Sequence, residues 1–337
     1  MLLMKKDIKK IAIVRLSALG DIINSAVVLQ FIKKHYPTLH VEWITEEIFA
    51  SILDDVKYLD TIHTINLKKF KKEKNFPLLK ATYNKLKMLG EYDLIIDMQG
   101  LLKSALVAKT LGKHTHGFDK NSIREPLASL FYTTNSNISY EKSVILRNLH
   151  VVGDALDFYI DESMLLDKES LFTCKHHFIL QQEKKNIALI IGASWSSKIY
   201  PKEKLVEVCN ALNAHCHIVW GNEKEKEDAL FIATHTTNAT PTQKLSLSEL
   251  VSFISHMNLL IGNDTGPTHI AWAQNIPSIT LFGPTNERMI YQTPKNIAIN
   301  SPSHVNILKI NKQDFSIKEI NPQTIITKAK ELLDYGI

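Results

Sequence analysis

Cysteine is scarce in this chain of 337 residues, which contains only Cys174, Cys209 and Cys216. Three cysteines cannot build a framework of several disulfides, and their spacing is not that of a zinc site, so we expect a reducing compartment. Long apolar runs are also missing. The apolar stretch 11–19 is interrupted by Arg15 and falls short of the ~18 residues that cross a bilayer, so neither a membrane span nor a signal peptide is predicted.

Two short motifs of nucleotide-dependent enzymes are absent as well. The first predicted strand-to-helix turn, residues 17–21, contains one glycine, whereas dinucleotide-binding proteins carry G-x-G-x-x-G at this place. NAD or FAD binding is therefore not predicted there. Asp-x-Asp does not occur in the sequence, so the carboxylate pair with which many sugar transferases bind a metal is missing too.

The chain has enough apolar sequence for two domains. Apolar residues make up 45% and charged residues 22%, which is typical of globular proteins, and the length favours two domains of roughly 150 residues. The formal net charge of +5 is unevenly distributed: residues 1–150 carry 23 basic and 15 acidic side chains, and residues 151–337 carry 17 and 20. A basic first half is typical of proteins that bind phosphates, carboxylates, nucleic acid or anionic membranes, and composition does not choose among them.

Strands and helices alternate in both halves. Strand 11–14 precedes a helical pattern at 21–35, and a second series starts with strand 187–191 after the polar segment 161–186. This alternation predicts βαβ units and parallel sheets. We therefore expect two Rossmann-like, doubly wound α/β domains with a cleft between them. Ligands of such sheets bind beyond the carboxyl ends of the strands, so the motifs that directly follow strands are the candidate site.

Three of these motifs each allow two interpretations. Asp21 begins the first predicted helix, where it is either a helix N-cap or a carboxylate that faces the expected cleft. The loop 192–198 offers the hydroxyl groups of Ser194 and Ser196 and the charge of Lys198, which suit a phosphate or a plain polar loop. Glu223 follows another strand, where an acidic side chain binds ribose hydroxyl groups or favours the helix dipole.

The fourth motif, residues 262–269, favours ligand binding. Gly266 allows close approach of a ligand to the backbone, and Pro267 suits the first turn of a helix whose N–H groups would face an anion such as a pyrophosphate. A purely structural turn rarely needs Asp264, Thr265 and His269 together with that glycine.

Two further features are less specific. The lysine run 68–74 is typical of a solvated loop, although it follows a strand and could bind anions. His114 and His116, like His215 and His217, place two imidazoles on one face of a strand. Because no third ligand is evident, hydrogen-bonded histidines are favoured over a metal site.

Taken together, the motifs resemble glycosyltransferase family 9, the bacterial ADP-heptose:lipopolysaccharide heptosyltransferases, over roughly residues 9–335. Within that family, two segments resemble the type I branch, which adds the first heptose to Kdo-lipid A. The segments that carry the family resemblance are 17–21, Lys198, 263–269 and 277–285, and those that carry the branch are 92–104 and 124–132.

The resemblance implies a GT-B fold with an acceptor-binding domain at 1–165, a linker at 166–186, a nucleotide-sugar domain at 187–320 and a C-terminal helix at 321–337 that crosses back to the first domain. It implies an inverting transfer of L-glycero-D-manno-heptose from ADP-heptose to the inner Kdo of Kdo-lipid A, without a metal or other cofactor. It also implies peripheral contact with an anionic membrane on the cytoplasmic face of the inner membrane. Nucleic acid and an obligate protein partner are not expected.

The resemblance further assigns roles to residues. Asp21 matches the general base, and Lys198 matches the lysine that contacts the phosphate and sugar of the donor. The other donor-binding residues that it implies are Ser194, Ser196, Glu223, Leu247, Asp264, Thr265, Gly266 and His269. The acceptor-binding residues that it implies are Lys68, Lys69, Lys71, Lys72, Gln99 and Arg124.

Three alternatives stay open on the sequence alone. A nicotinamide-dependent oxidoreductase fits two Rossmann-like halves, although the glycine fingerprint is missing. A non-catalytic glycolipid-binding protein would keep the basic half, although Asp21, Lys198, Glu223 and Asp264 are all present. A heptosyltransferase that adds the second or a later heptose is the nearest alternative.

The charge asymmetry predicts how binding responds to salt. Raising the ionic strength is expected to weaken binding of Kdo-lipid A more than binding of ADP-heptose, because the basic half is the implied acceptor half and salt screens exposed charges beyond ~10 Å at 0.1 M. Titrations with each ligand at low and high salt measure this. Equal salt sensitivity for both ligands would mean that the charge split is incidental.

Overall fold

The computed structural model describes residues 8–334, apart from the side chain of Lys71. The chain divides into two compact units, Met1–Leu171 and Phe172–Ile337. Each unit contains a six-stranded sheet in which all neighbouring strands are parallel. The two-domain α/β prediction is thus confirmed in its architecture, and the division falls inside the segment 161–186 that the sequence marks as polar.

The first unit is a doubly wound sheet with helices packed along it. Its strands are β1 (Lys10–Val14), β2 (His40–Glu46), β3 (Thr61–Ile65), β4 (Leu94–Asp97), β5 (Thr115–Phe118) and β6 (Thr134–Ser136), in the order β3-β2-β1-β4-β5-β6. Its helices are α1 (Leu19–Ala26), α2 (Val28–His35), α3 (Leu67–Glu73), α4 (Phe76–Lys87), α5 (Leu102–Leu111), α6 (Val144–Leu156) and α7 (Glu162–Leu166). The central strand β1 is apolar throughout Ile11–Val14 and fully buried, as expected for a parallel strand covered on both faces.

The second unit repeats this winding. Its strands are β7 (Lys185–Ile190), β8 (Ala214–Val219), β9 (Ala239–Pro241), β10 (Leu259–Asn263), β11 (Ser278–Phe282) and β12 (Asn296–Asn300), in the order β12-β11-β10-β7-β8-β9. Its helices are α8 (Lys202–Ala211), α9 (Glu223–Thr234), α10 (Leu247–Ser255), α11 (Gly266–Ala273) and α12 (Pro322–Asp334). Read within each unit, both sheets have the Rossmann strand order 3-2-1-4-5-6.

Two local predictions differ from the structure. The helix predicted at 21–35 begins at Leu19 and is divided at Val27 into α1 and α2. The lysine run 68–74 was predicted as a loop, and this is wrong, because residues 67–73 form the helix α3. Leu67 packs against the core of the first unit. This apolar contact stabilises a helix in a segment whose composition is that of a solvated loop.

The helix predicted at the C-terminus is present as α12. Its buried side chains Ile325, Ile326, Ala329 and Leu332 belong to the core of the second unit, together with Leu205 of α8. The predicted packing of this helix toward the first unit stays a prediction, as do the finer domain boundaries. Among residues 8–334, no helix combines the length and apolar character that a membrane span needs.

Each sheet reverses its strand order at one place, between β1 and β4 in the first unit and between β7 and β10 in the second. The loops that leave the carboxyl ends of these paired strands diverge and leave room for a ligand. The fold therefore places a candidate site at each reversal.

Candidate functional site

The reversal in the second unit contains a buried cluster around Asp264, which directly follows β10. Lys198, from the loop after β7, forms an ion pair with Asp264 at 2.6 Å between Nζ and Oδ2. The Thr285 hydroxyl donates to the same oxygen over 2.7 Å, and His269 Nε2 lies 3.3 Å from Oδ1. The Asp264 side chain is 3% exposed and that of Lys198 is 11% exposed.

The cluster keeps Asp264 ionised. Burial alone would raise the pKa of this carboxyl group, but the charge of Lys198 and the hydrogen bond of His269 outweigh it and hold the pKa well below its usual range. The result is a fixed carboxylate and a lysine whose ammonium group is held beside it. Such a lysine is oriented before a negatively charged ligand arrives.

Asn263 holds the loops in place at this reversal. Its Oδ1 accepts the backbone N–H of Tyr200 over 3.1 Å, and its Nδ2 donates to the Ile191 carbonyl over 2.8 Å. The Thr268 hydroxyl donates to the Asn263 carbonyl over 2.7 Å. The side chain of Asn263 thus joins the end of β10 to the loop after β7, which fixes where Asp264 and Lys198 emerge.

The start of α11 is arranged for an anion. Thr265 is the N-cap residue but makes no side-chain capping hydrogen bond, so it leaves the first N–H groups of the helix to other acceptors. Gly266 and Pro267 form the first turn, as the sequence predicts, and both Thr265 and Gly266 are partly exposed. Backbone donors and the positive end of the helix dipole therefore lie next in sequence to Asp264.

The serines of the loop 192–198 differ in their exposure to solvent. Ser194 and Ser196 are exposed, whereas Ser197 is buried and its hydroxyl has no hydrogen-bond partner. Lys198 ends the 3-10 turn Ser196–Lys198 and is the member of the loop that reaches Asp264. The two exposed hydroxyl groups remain available to a ligand.

The predicted ribose-binding acid has a neighbour that the sequence did not single out. Glu223 starts α9, is largely exposed, and lies 3.7 Å from Lys226 Nζ. Glu225 instead accepts the backbone N–H of Gly221 over 2.7 Å, and its carboxylate fills the space where a side chain at Gly192 would lie. Glu225 therefore lies beside the loops that follow β7 and β8. The sequence had predicted Glu223 for this position.

Leu247 is the first residue of α10 and is partly buried. The helix is capped by Ser246, whose hydroxyl accepts the N–H of Glu249, and Glu249 reciprocates. This reciprocal cap fixes the start of α10 and therefore the position of Leu247.

The reversal in the first unit places Asp21 beside Arg15. Asp21 is the third residue of α1; its Oδ1 lies 2.8 Å from Arg15 Nη2 and its Oδ2 accepts the N–H of Ala18 over 3.2 Å. The N-cap residue is Ala18, so the interpretation of Asp21 as the N-cap is wrong, although its carboxylate does satisfy a backbone donor. Arg15 leaves the end of β1 and also donates to the Met98 carbonyl after β4.

Gln99 and Lys103 complete this site from the β4 side. Gln99 Oε1 accepts the N–H of Leu16 over 2.8 Å, and its Nε2 donates to Ser17 Oγ over 3.4 Å. Lys103 Nζ donates to the same hydroxyl over 3.2 Å. Burial lowers the pKa of Lys103 and raises the pKa of Glu46, the last residue of β2. Of Gln99, Lys103 and Glu46, only Gln99 was predicted as a site residue from the sequence.

The predicted acceptor-binding cations lie on the surface of the first unit. Lys68, Lys69 and Lys72 are exposed on α3, and Arg124 is exposed; the side chain of Lys71 lies outside the described residues. The backbone N–H of Lys68 donates to Glu46 Oε2, at the end of β2, over 3.3 Å. Its ammonium group lies 4.1 Å from the centre of the Phe49 ring.

Three of the four paired histidines, His116, His215 and His217, have hydrogen-bond partners for their side chains. His116 is buried with its ring nitrogens 2.8 and 2.9 Å from Thr134 Oγ1 and Ser136 Oγ. His217 Nε2 lies 2.9 Å from Asn186 Oδ1, and His215 Nε2 lies 2.9 Å from Thr240 Oγ1. Within the described part of the chain, no group of three or more His, Cys, Asp or Glu side chains is arranged to hold a metal ion.

Comparison with known proteins identifies the family. The family described as glycosyltransferase family 9 (heptosyltransferase) matches residues 84–320. The chain belongs to glycosyltransferase family 9. Membership makes it a glycosyltransferase and removes the oxidoreductase alternative.

Several relatives of this family 9 enzyme are named lipopolysaccharide heptosyltransferase 1. Lipopolysaccharide heptosyltransferase 1 of Campylobacter coli is 39% identical over 96% of this chain and 98% of its own length. The enzyme of the same name from Escherichia coli K12 is 25% identical over 90% of this chain and 97% of its own. The structure of E. coli heptosyltransferase WaaC with ADP-2-deoxy-2-fluoro heptose aligns with a TM-score of 0.78 at 21% identity, covering 96% and 99% of the two chains. The GT-B fold expected from the sequence is confirmed.

The buried ion pair of the family 9 enzyme predicts a pH-dependent stability. Replacing Asp264 with Asn is expected to destabilise the protein at pH 7 by roughly 3–5 kcal/mol, because Lys198 would be left buried without a counter-charge. Since the pKa of Asp264 is lower in the folded state, its contribution is present above its unfolded value near ~3.9 and is lost as the pH falls further. Urea unfolding of both proteins between pH 7 and pH 2 measures the difference, which is expected to shrink below about pH 4.

Asp228 supplies the matched control. Its ion pair with Lys202 has the same 2.6 Å distance, but the two side chains are 29% and 35% exposed. Asp228→Asn is expected to change stability by about 0–1 kcal/mol. Equal effects of the two substitutions would contradict the importance of burial at Asp264.

Proposed function

We propose that this family 9 enzyme transfers L-glycero-D-manno-heptose from ADP-heptose to the inner Kdo of Kdo-lipid A, as a heptosyltransferase of type I in synthesis of the lipopolysaccharide inner core. The observation that carries the proposal is the 39% identity, over nearly both whole chains, to a lipopolysaccharide heptosyltransferase 1. The residues of the two sheet reversals supply the chemistry that such a transfer needs.

The second unit binds the donor. Lys198 and the start of α11 neutralise the diphosphate as it gains negative charge on leaving, and Ser194 and Ser196 add hydroxyl donors. Asp264 holds Lys198 at 2.6 Å, and its proposed role is at the heptose. His269 and Thr265 belong to the same turn. Glu223, with Glu225 beside it, binds the ribose, and Leu247 contacts the adenine side of the nucleotide.

The first unit binds the acceptor and supplies the base. Asp21 takes the proton from the attacking Kdo hydroxyl as the new bond forms, and Arg15 fixes the orientation of its carboxylate at 2.8 Å. Attack from the face opposite ADP inverts the anomeric carbon through an oxocarbenium-like transition state. Gln99 and the cations Lys68, Lys69, Lys71, Lys72 and Arg124 bind the acidic acceptor.

We also propose that the transfer needs no metal, because Lys198 and the α11 start provide positive charge at the leaving group. The enzyme works at the cytoplasmic face of the inner membrane through peripheral contact. The basic half supports this, at about 1 kcal/mol for each basic residue near an anionic surface.

A mass-spectrometric assay tests the function. The protein is mixed with ADP-heptose and either Kdo-lipid A or the same acceptor already carrying one heptose, with EDTA present in a parallel set. One heptose is expected to appear on Kdo-lipid A alone, and EDTA is expected to leave the rate unchanged. Transfer only to the heptosylated acceptor would indicate a later-acting heptosyltransferase, and transfer to neither would defeat the proposal.

The role of Asp21 predicts a selective loss. Asp21→Asn is expected to lower turnover by ~10²–10⁴, the usual contribution of general-base catalysis, and to leave the affinity for ADP-heptose unchanged. Single-turnover rates and calorimetric titration with ADP-heptose separate the two quantities.

Asp161 provides the control for Asp21. It accepts the backbone N–H of Ser163 over 2.8 Å at the start of α7, so it is another carboxylate at a helix start in the same unit. Asp161→Asn is expected to retain full turnover. Near-normal turnover of Asp21→Asn would reject the general-base role and leave Asp21 a structural one, as partner of Arg15 and Ala18.

A further inference from the structure

A large apolar groove in the first unit has no part in the chemistry described above. It has a volume of about 960 Å³ and lies between α3, α4 and α5. Leu86 and Val107, which are buried members of the core, also line it. The other apolar residues that line it include Leu67, Phe70, Phe76, Leu79, Tyr83 and Leu106.

Several of these side chains are unusually exposed for their size. Phe76 is 71% exposed, Leu106 is 52% exposed and Tyr83 is 50% exposed. Large apolar side chains scattered singly on a surface need no explanation, but three that line one groove form a contiguous patch that favours an apolar ligand.

The groove is bordered by positive charge. Residues 67–87, which form α3, α4 and their connection, contain eight lysines and one acidic residue. Lys80 and Lys103 themselves line the groove. A long apolar interior with a lysine border complements an amphiphile whose polar end is anionic.

Lys103 connects the groove to the candidate acceptor site. Its side chain lines the groove, and its ammonium group donates to Ser17 Oγ over 3.2 Å. Ser17 also accepts from Gln99 and lies in the turn that leads into Asp21. A ligand whose sugar contacts Gln99 can therefore extend its apolar part into the groove without leaving the first unit.

We propose that the groove binds a fatty acyl chain of the anionic glycolipid acceptor while the lysines of α3 and α4 contact its phosphates. The proposal rests on the proposed function, which supplies an acceptor with both an acidic sugar and acyl chains. A second copy of this chain is a poor occupant, because docking there would bring two lysine-rich segments together.

The experiment compares two acceptors and two matched variants. One acceptor is intact Kdo-lipid A in neutral phosphatidylcholine vesicles, and the other is the same glycolipid stripped of its acyl chains, with the same vesicles present. Leu106→Gln places an amide in the groove. Leu230→Gln is the control, because Leu230 also lies on a helix, is 50% exposed and belongs to the second unit.

The acyl chain is expected to matter only where the groove is intact. Wild-type protein and Leu230→Gln should show a lower KM for the intact acceptor than for the stripped one. Leu106→Gln should raise KM for the intact acceptor roughly four- to tenfold, as expected for losing part of a leucine contact, and leave kcat and KM for the stripped acceptor unchanged.

The remaining outcomes overturn the proposal in distinguishable ways. Transfer by the wild type to both acceptors with the same KM, or an equal effect of Leu106→Gln on both, removes the acyl site and leaves the proposed function intact. Transfer to neither acceptor rejects the proposed function itself. If Leu106→Gln weakens sedimentation with phosphatidylglycerol vesicles that lack acceptor, the groove binds bilayer lipid. If Leu106→Gln dissociates a dimer in analytical ultracentrifugation, the groove binds a second copy of the chain.

Discussion

The buried ion pair between Lys198 and Asp264 is the interaction on which the candidate site depends. Burying two charges is costly, and apolar side chains of similar volume would often serve stability as well. The pair exists because the ends of β7 and β10 adjoin and Asn263 joins the two loops. It holds a cation beside the start of α11, which is where the proposed function needs positive charge for a leaving diphosphate.

The first unit also has an ion pair at the reversal of its sheet, but the exposure of the two partners is different. Its strand order reverses at the equivalent place, and Arg15 and Asp21 form the ion pair there. Here the carboxylate is the more exposed partner, at 26% compared with 11% for the arginine, whereas Asp264 is the less exposed partner in the second unit. An accessible carboxylate suits proton transfer from an acceptor, and an enclosed one suits the positioning of a lysine.

Much of the fold and part of the site could be predicted from sequence. Asp21, Lys198 and Asp264 were found because each lies between a strand and the following helix or at the start of that helix, which is a local property. Glu46, Lys103 and Thr285 were missed because their partners follow other strands of the sheet. Arg15 and Glu225 were missed although their partners Asp21 and Gly221 lie close in sequence. The lysine run was mistaken for a loop, because composition does not show that Leu67 has a core to pack against.

The sequence by itself determined the alternation of strands and helices, the basic first half and the motifs of family 9, since these depend on residue order alone. The tertiary structure decided which motifs meet. Leu16 and Gln99 are 83 positions apart and share a 2.8 Å hydrogen bond. They meet because β1 pairs with β4 as well as with β2. The tertiary structure also decided that an apolar groove lies between α3, α4 and α5. The groove arises from the packing of these three helices, and no local sequence pattern shows that they pack together.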